Sequence, residues 1–410
     1  MTTTAPNPPS PRVSTSSNPL FALGLWWDGV IDRYNALPRA AKILLVVLFA
    51  FFVYALPLLR PPLIATDRID FGGVMFGCAA YALIALGLNI VIGYAGLLDL
   101  GYIGFYATGA YTTGVLTSYH WHWPFFLALP IAIAVTMLTG VILGAPTLRV
   151  RGDYLAIVTL GFGEIIRICV KNIGWLGASA GIKDIDHPNS IGPAPKPPFD
   201  PGGFFAIPRL EWSGFVPSLD HEHPTHFLVF GARDAIPYYW LLLTALILVL
   251  LGDRLVKASR VGRAWEATRE DEDAAELMGV HTFKYKLMAF ALGAAIGGMS
   301  GAFYASGQSG YISPDSFLLP TSFLFVAAVI VGGSGNRWGA MVGGVLVAYL
   351  PERFRDFADY RLLVFGLALT TLAVLRPEGL LPPRRTRRAK MLAAEIEELE
   401  EGEFKETSHG

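Results

Sequence analysis

The chain has 410 residues, of which 53% are hydrophobic and only 16% are charged, and its formal net charge at pH 7 is −1. With a mean hydropathy of +0.46, this composition excludes a soluble protein of this size and indicates a polytopic membrane protein. The near-neutral charge excludes a nucleic-acid-binding function, which needs a basic surface to neutralise phosphates. The two cysteines, Cys78 and Cys169, lie in apolar stretches, so we expect neither a disulfide nor a metal cluster.

Several apolar segments are long enough, or nearly so, to cross a bilayer as helices, which takes about 20 residues. They lie at 42–59, 73–92, 97–118, 124–145, 154–170, 238–251, 285–306, 317–331, 338–350 and 362–375. The sequence therefore predicts an all-α integral membrane protein, with about ten transmembrane helices in a domain over residues 41–383. Residues 1–40, which begin with a run rich in Ser, Thr, Asn and Pro, are predicted to form a disordered tail rather than a signal peptide, and residues 384–410 a charged tail.

The distribution of basic residues predicts the orientation, because they collect in the short cytoplasmic loops of membrane proteins. Here they precede the first apolar segment and follow the fourth, the sixth and the tenth. Both termini and a loop at 253–284 are therefore predicted to be cytoplasmic, and a Pro- and Gly-rich insertion at 171–237 to be extracytoplasmic. In this topology the second to fifth helices and the seventh to tenth run in opposite senses, which allows an inverted repeat.

Glycines repeat at four-residue spacing in three of the apolar segments, a pattern that lets membrane helices approach closely. The sets are Gly140 with Gly144, Gly293 with Gly297 and Gly301, and Gly339 with Gly343. We interpret them as packing positions rather than ligand contacts.

The segment at 262–279 reads GRAWEATREDEDAAELMG and separates two apolar segments. Small or flexible residues fall at helical spacing along it, interrupted by one acidic residue: Ala264, Ala267, Ala274, Ala275 and Met278, with Asp271 between them. Such a face could sit in the groove of a partner protein, and Gly279 can supply the left-handed residue that ends a helix. The alternative is an ordinary solvated charge run between two helices.

Sequence motifs for common catalytic sites are absent. No phosphate-binding Gly-x-x-x-x-Gly-Lys-Ser/Thr loop occurs, so any ATP hydrolysis must take place on another subunit, and neither a Gly-x-Ser-x-Gly elbow nor a His-Glu-x-x-His pair occurs. We therefore expect no enzyme and no cofactor. The insertion contains His221, Glu222, His223 and His226, but Pro224 breaks the helical spacing that metal ligands prefer, so we predict no metal site.

Polar residues inside apolar segments are costly to bury and are therefore candidates for a translocation pathway. The main ones are Asn89, Asp99, Glu164 and Arg167. Glu164 and Arg167 lie three residues apart on one predicted helix, so they can also simply pair with each other.

Asp99 lies in a glycine-dense run, GYAGLLDLGYIG, at 93–104. Gly93, Gly96 and Gly101 are typical of a broken helix, whose exposed backbone groups could hold the carboxylate and ammonium of an amino acid. The alternative is a cytoplasmic turn that joins two helices.

Five runs resemble one known family. They are GLNIVIGYAGLLDLGY at 87–102, LRVRGDYLAIVTLGFGE at 148–164, the segment at 262–280, GGSG at 332–335 and RPEGLL at 376–381. In this order they closely resemble the permeases of branched-chain amino acid ABC transporters, LivM type, over residues 73–383.

The resemblance implies an ABC importer permease fold in a cell membrane. It also implies a second, homologous permease of LivH type, two ATPases of LivG and LivF types, and an extracytoplasmic binding protein that delivers leucine, isoleucine or valine. The segment at 262–279 then corresponds to the family's ATPase-coupling loop. Its matching residues are Gly262, Arg263, Glu266, Asp273, Ala274, Ala275 and Gly279.

The sequence departs from the family pattern after the fifth apolar segment. Members commonly carry a Thr-Gly-Gly-x-x-Gly run, whereas residues 176–182 read LGASAGI, and the insertion that follows is longer than usual. Urea and short-amide permeases share much of the pattern and remain an alternative. An ion-driven secondary transporter that uses Asp99 or Glu164 is a further alternative.

Overall fold

The structure is a computed structural model. It describes residues 38–61, 70–118, 120–148, 153–190, 206–213, 216–226, 229–231, 234–307, 309–353, 363, 366, 367, 370, 371, 374, 379–381 and 383. The predicted tails at 1–40 and 384–410 lie almost wholly outside these residues, and so does most of the predicted helix at 362–375. The chain divides into two compact units, Met1–Ala55 and Leu56–Gly410. Most of helix α1, Arg39–Leu59, belongs to the first unit.

The described part of the second unit is mainly helical. Helix α2, Phe71–Leu88, continues as a π-helix, Asn89–Tyr94. Then follow α3 Tyr102–Thr117, α4 Phe125–Thr147, α5 Asp153–Asn172, α6 Ile236–Ala258, α7 Arg260–Glu270, α8 Glu272–Leu277, α9 Thr282–Ala305, α10 Leu319–Gly332 and α11 Arg337–Arg353.

Five helical stretches in the described residues are long and apolar enough to cross a membrane, which agrees with a multi-pass membrane protein. They are Ala40–Leu59, Phe71–Tyr94, Phe125–Thr147, Thr282–Ala305 and Pro314–Gly332. The total of ten transmembrane helices and the inverted repeat stay predictions.

Helix α9 packs closely against α3 and α4, and its glycines make this possible. A Cβ atom added to Gly301 would lie 2.0 Å from the backbone oxygen of Tyr106, and one added to Gly109 of α3 would lie 2.1 Å from that of Gly298. Added to Gly140 of α4, it would lie 2.6 Å from the Cβ atom of Ala294. The glycine spacing thus marks helix-packing positions, as the sequence predicts.

The expectation of an all-α chain is wrong for the insertion at 171–237. Strands β1, Ala206–Ser213, and β2, Val216–His226, pair antiparallel, with Ser213 opposite Val216 and Ala206 opposite His226. Prolines at 208, 217 and 224 cannot continue a helix, because proline lacks the backbone N–H. The His221, Glu222, His223 and His226 group lies on β2.

The predicted start of the third membrane helix is also wrong. The segment at 97–101 is apolar but not helical, and α3 begins only at Tyr102. Gly96 has a φ of +72°, a left-handed conformation that turns the chain away from the preceding helix. The apolar residues before Tyr102 therefore belong to the connection between α2 and α3.

Candidate functional site

The glycine-dense run begins in a π-helix, Asn89–Tyr94, at the end of α2, and continues as the non-helical connection to α3. The wider turn of the π-helix ends with hydrogen bonds from the Ala95 N–H to the Ile90 oxygen, 3.2 Å, and from the Leu97 N–H to the Val91 oxygen, 3.0 Å. Helix ends leave carbonyl groups without intrahelical partners, and π-turns are frequent at functional sites. Groups from distant parts of the chain contact this end of the helix.

One such group is the backbone of Gly335, in the turn between α10 and α11. Its N–H donates a hydrogen bond of 2.8 Å to the side-chain oxygen of Asn89, which is completely buried. A Cβ atom on Gly93 would lie only 2.5 Å from the same Gly335 nitrogen. The close approach therefore requires glycine at position 93, and the φ of +88° at Gly335 favours glycine there as well.

Charged side chains surround this contact. The Lys257 ammonium at the end of α6 donates to the Gly335 oxygen, 3.1 Å, and lies 4.4 Å from the centre of the Tyr94 ring. The Tyr94 hydroxyl donates to Asp253, 3.2 Å, and Arg337 lies 3.4 Å from the same carboxylate. Opposite charges and hydrogen bonds offset the cost of burying Asp253.

A further cation comes from α7. The Arg269 guanidinium donates a hydrogen bond to the backbone oxygen of Gly93. The aliphatic part of the Arg269 side chain lies against Gly96, where an added Cβ atom would be 2.9 Å from the Arg269 Cγ.

We call the whole contact region the π-helix junction and define it by Asn89, Gly93, Tyr94, Asp253, Lys257, Arg269, Gly335 and Arg337.

Asp99 is completely buried in the connection between α2 and α3. Its Oδ1 atom accepts a hydrogen bond of 2.9 Å from the Gly101 N–H, and its Oδ2 atom has no partner among the described residues. A Cβ atom on Gly101 would lie 1.7 Å from the Thr159 oxygen of α5. This connection is therefore packed tightly against α5.

Glu164 and Arg167 pair with each other on α5. The Arg167 Nε donates to both carboxylate oxygens of Glu164, at 3.1 and 3.0 Å, and both side chains are partly exposed. Among the described residues, no hydrogen bond or ion pair joins them to Asn89, Gly93 or Asp99. The structure thus brings Asn89 and Gly93 together at the π-helix junction, places Gly96 beside the Arg269 side chain, and leaves Glu164 and Arg167 outside the junction.

The segment at 262–279 forms two short helices. The Ser259 side chain caps α7 by accepting from the Val261 N–H, 3.1 Å, and the Asp271 side chain caps α8 by accepting from the Ala274 N–H, 3.0 Å. Gly279, with a φ of +85°, ends α8 as the sequence predicts. The Val280 N–H to Ala275 oxygen bond of 3.0 Å is the contact typical of a glycine-terminated helix.

The predicted stripe of small residues does not form one exposed face. The helix breaks at Asp271, and Ala264 and Ala275 are buried within the protein, as is Gly262. The exposed residues of this loop include Arg263, Glu266, Asp273, Ala274, Leu277, Met278 and Gly279. The two largest apolar side chains at its tip, Leu277 and Met278, are 88% and 85% exposed.

Comparison with known proteins places the chain in a family. Residues 72–373 match the family model described as "Branched-chain amino acid transport system / permease component". The chain is 39% identical, over 309 residues, to the LivM permease of Salmonella typhimurium, covering 74% of this chain and 68% of the relative. The chain belongs to this permease family.

Further relatives agree with the assignment. The LivM permease of Escherichia coli K12 is 37% identical over 342 residues, covering 82% of this chain and 75% of that protein. The LivH permease of the same organism is 24% identical over 326 residues, covering 75% and 95%. No significant match to a solved structure was found. As a transport permease component the protein is not an enzyme, and ATP hydrolysis belongs to separate subunits.

Sequence reasoning missed several residues of the permease that lie at or next to the π-helix junction. Trp265 is completely buried, stacks on Tyr94 at a ring distance of 6.4 Å, and donates through Nε1 to the Tyr285 oxygen, 2.7 Å. Asp253, Lys257, Arg269 and Arg337 form the charged part of the π-helix junction. Only their charge near apolar segments could have indicated them, because their partners are distant in sequence.

Proposed function

We propose that the protein is the LivM-type permease subunit of an ATP-driven importer of leucine, isoleucine and valine. It forms half of the translocation pathway and pairs with a homologous permease of LivH type. Two ATPases of LivG and LivF types and an extracytoplasmic binding protein complete the transporter. The family and the names of the relatives support the class of transporter.

The observation that carries the proposal is the loop of α7 and α8, which combines an exposed tip with a buried base. Asp273, Ala274, Leu277 and Met278 are exposed, and apolar side chains of this size gain free energy when a partner covers them. The base is held through Trp265 against α9. The loop therefore presents exposed apolar side chains on a base that is fixed to α9, as expected of a docking surface for a soluble ATPase subunit.

Two side-chain contacts tie α8 of the loop to α9. Lys286 of α9 forms an ion pair with Glu272, and the Thr282 hydroxyl bonds to Glu276. Movement of α8 is therefore passed to α9, which packs against α3 and α4. In the proposed mechanism, closure of the ATPase dimer pushes on this loop, and the two permeases rock between outward and inward access.

The proposed orientation places the loop at 253–284 and both termini in the cytoplasm, and the insertion at 171–237 outside the cell. The basic residues that flank the apolar segments support it. The proposed pathway runs past the broken helix with Asn89, Gly93, Gly96, Asp99 and Gly101, since unwound backbone can bind a charged amino acid.

Replacement of residues 273–279 by a flexible Gly-Ser linker tests the docking proposal. The complex is expressed with an affinity tag on this permease, and the co-purifying subunits are quantified. We expect both ATPases to be lost while the second permease still co-purifies, which controls for folding. Undiminished ATPase binding would contradict the docking role of the loop.

A second experiment separates the substrate classes. The assembled complex with its binding protein is incubated with labelled leucine or labelled urea, and the bound label is measured. We expect leucine to be retained and displaced by isoleucine and valine. Retention of urea alone would indicate a permease for urea and short amides instead.

A further inference from the structure

The end of the π-helix is held by a side chain of the loop at 262–279. The π-helix ends at Tyr94, and the carbonyl groups of such an end carry a partial negative charge without intrahelical donors. The Arg269 guanidinium supplies a charged donor to one of them, the Gly93 oxygen. Charge-assisted hydrogen bonds of this kind are among the stronger ones in proteins.

Helix α7, which carries Arg269, lies between two non-helical joints. Ser259, with ψ −179°, separates it from α6, and Asp271, with φ −153° and ψ 109°, separates it from α8. The eleven-residue helix between them is therefore a separate element, joined to α6 and α8 by extended residues and to α9 by the Trp265 hydrogen bond. Arg269 lies two residues from the joint to α8.

The aliphatic part and the guanidinium of Arg269 both lie against the backbone of glycine residues. A Cβ atom on Gly96 would be 2.9 Å from the Arg269 Cγ, and one on Gly335 would be 2.8 Å from its Nη1. The Arg269 side chain therefore packs directly on the backbone of Gly96 and Gly335, and no other side chain separates it from them.

A second cation, Lys257, binds the backbone of the same turn. Lys257 precedes the joint at Ser259 and donates to the Gly335 oxygen, 3.1 Å, while the Gly335 N–H donates to Asn89, 2.8 Å. The π-helix is consequently linked to α6 through Lys257 and to α7 through Arg269. Relative movement of α6 and α7 about Ser259 pulls on the two contacts unequally.

We propose that Arg269 is a positioning residue that transmits movement of α7 to the π-helix at the end of α2. ATP-driven displacement of the loop would thereby change the conformation of the segment at 89–96. This inference rests on the proposed coupling role of the loop. It adds the route by which the displacement reaches the candidate pathway.

The test compares Arg269→Gln with Arg269→Lys in the complete complex, reconstituted in proteoliposomes with the binding protein. ATP hydrolysis and leucine uptake are measured in the same vesicles. We expect Arg269→Gln to assemble and hydrolyse ATP at close to the original rate, with leucine taken up per ATP reduced at least about threefold, as for one charge-assisted hydrogen bond at a partly exposed site. Arg269→Lys, which can still donate to the Gly93 oxygen, should restore part of that ratio.

Arg260→Gln is the matched control, because Arg260 is an exposed cation at the other end of α7, and it should leave the ratio unchanged. An unchanged ratio in Arg269→Gln, or a parallel fall of hydrolysis and uptake, would overturn the proposal. Failure of both Arg269 variants to assemble would also overturn it, because Arg269 would then serve folding or docking. A failed docking proposal is recognised separately, by ATPases that remain bound after replacement of residues 273–279.

Discussion

The N–H of Gly335 donates a hydrogen bond of 2.8 Å to the side-chain oxygen of Asn89, although the two residues are 246 positions apart. This bond joins the end of α2 to the turn between α10 and α11. Both partners are inside the protein, so neither can exchange the bond for water without opening the junction. The bond therefore couples two parts of the permease that meet only in the folded chain.

Replacing Asn89 by Leu should destabilise the permease by about 1–3 kcal/mol, because the Gly335 N–H loses its acceptor in a buried site. Chemical unfolding of the detergent-solubilised subunit measures the change. Asn172→Leu is the control, since Asn172 is exposed and should change the stability by less than about 0.5 kcal/mol. Equal effects of the two substitutions would show that the Asn89 bond is unimportant.

Gly335→Ala should destabilise the permease by about 1–3 kcal/mol. The φ of +88° is unfavourable for alanine, and the added methyl group would lie 2.8 Å from the Arg269 Nη1 and 3.2 Å from the Gly93 oxygen. Gly252→Ala in α6 is the matched control, because its added methyl group meets no atom within 4 Å. Thermal unfolding should show a lower midpoint for Gly335→Ala only, and a normal midpoint there would refute the strain argument.

Trp265→Ala should destabilise the permease by about 3–5 kcal/mol, the usual cost of removing a large buried aromatic side chain. Trp265→Phe keeps a ring beside Tyr94 but loses the Nε1 bond to the Tyr285 oxygen, so it should cost about 1 kcal/mol. Yield and unfolding of the solubilised subunit report both changes. If the alanine variant is no less stable than the phenylalanine variant, Trp265 does not anchor α7.

A double variant, Leu277→Ser with Met278→Ser, should leave the stability of the isolated permease within about 0.5 kcal/mol, because both side chains are exposed. The affinity for the ATPases should fall at least about tenfold, since burial of one such side chain contributes about 1.5–3 kcal/mol. Titration of the purified ATPases onto the solubilised pair of permeases measures the affinity. Unaltered affinity would place the docking surface elsewhere.

How far the sequence predicts this fold is clearest at the helices. Apolar length and glycine spacing predict the five membrane-length helical stretches of the described residues and the close packing of α9 against α3 and α4, because these depend on local composition. Gly279 is likewise predictable as a helix end, and the spacing of Glu164 and Arg167 indicates that they can pair. These features require only residues that are near one another in sequence.

The π-helix junction could not be predicted in the same way. Arg269 binds a carbonyl oxygen 176 positions away, and no local pattern specifies which helix end a cation will reach. The buried orientation of Ala264 and Ala275 also depends on how α7 and α8 pack against the rest of the protein. Small size favours close contact, but it does not decide between the protein's own chain and a partner.

The most direct test of the proposed function is leucine uptake into proteoliposomes that contain both permeases, both ATPases and the binding protein. ATP supplied on the side of the ATPases should drive accumulation of leucine against its gradient, and removal of the ATPase subunits should abolish it. Uptake that persists without the ATPases and collapses when the proton gradient is dissipated would contradict the account and identify an ion-driven transporter.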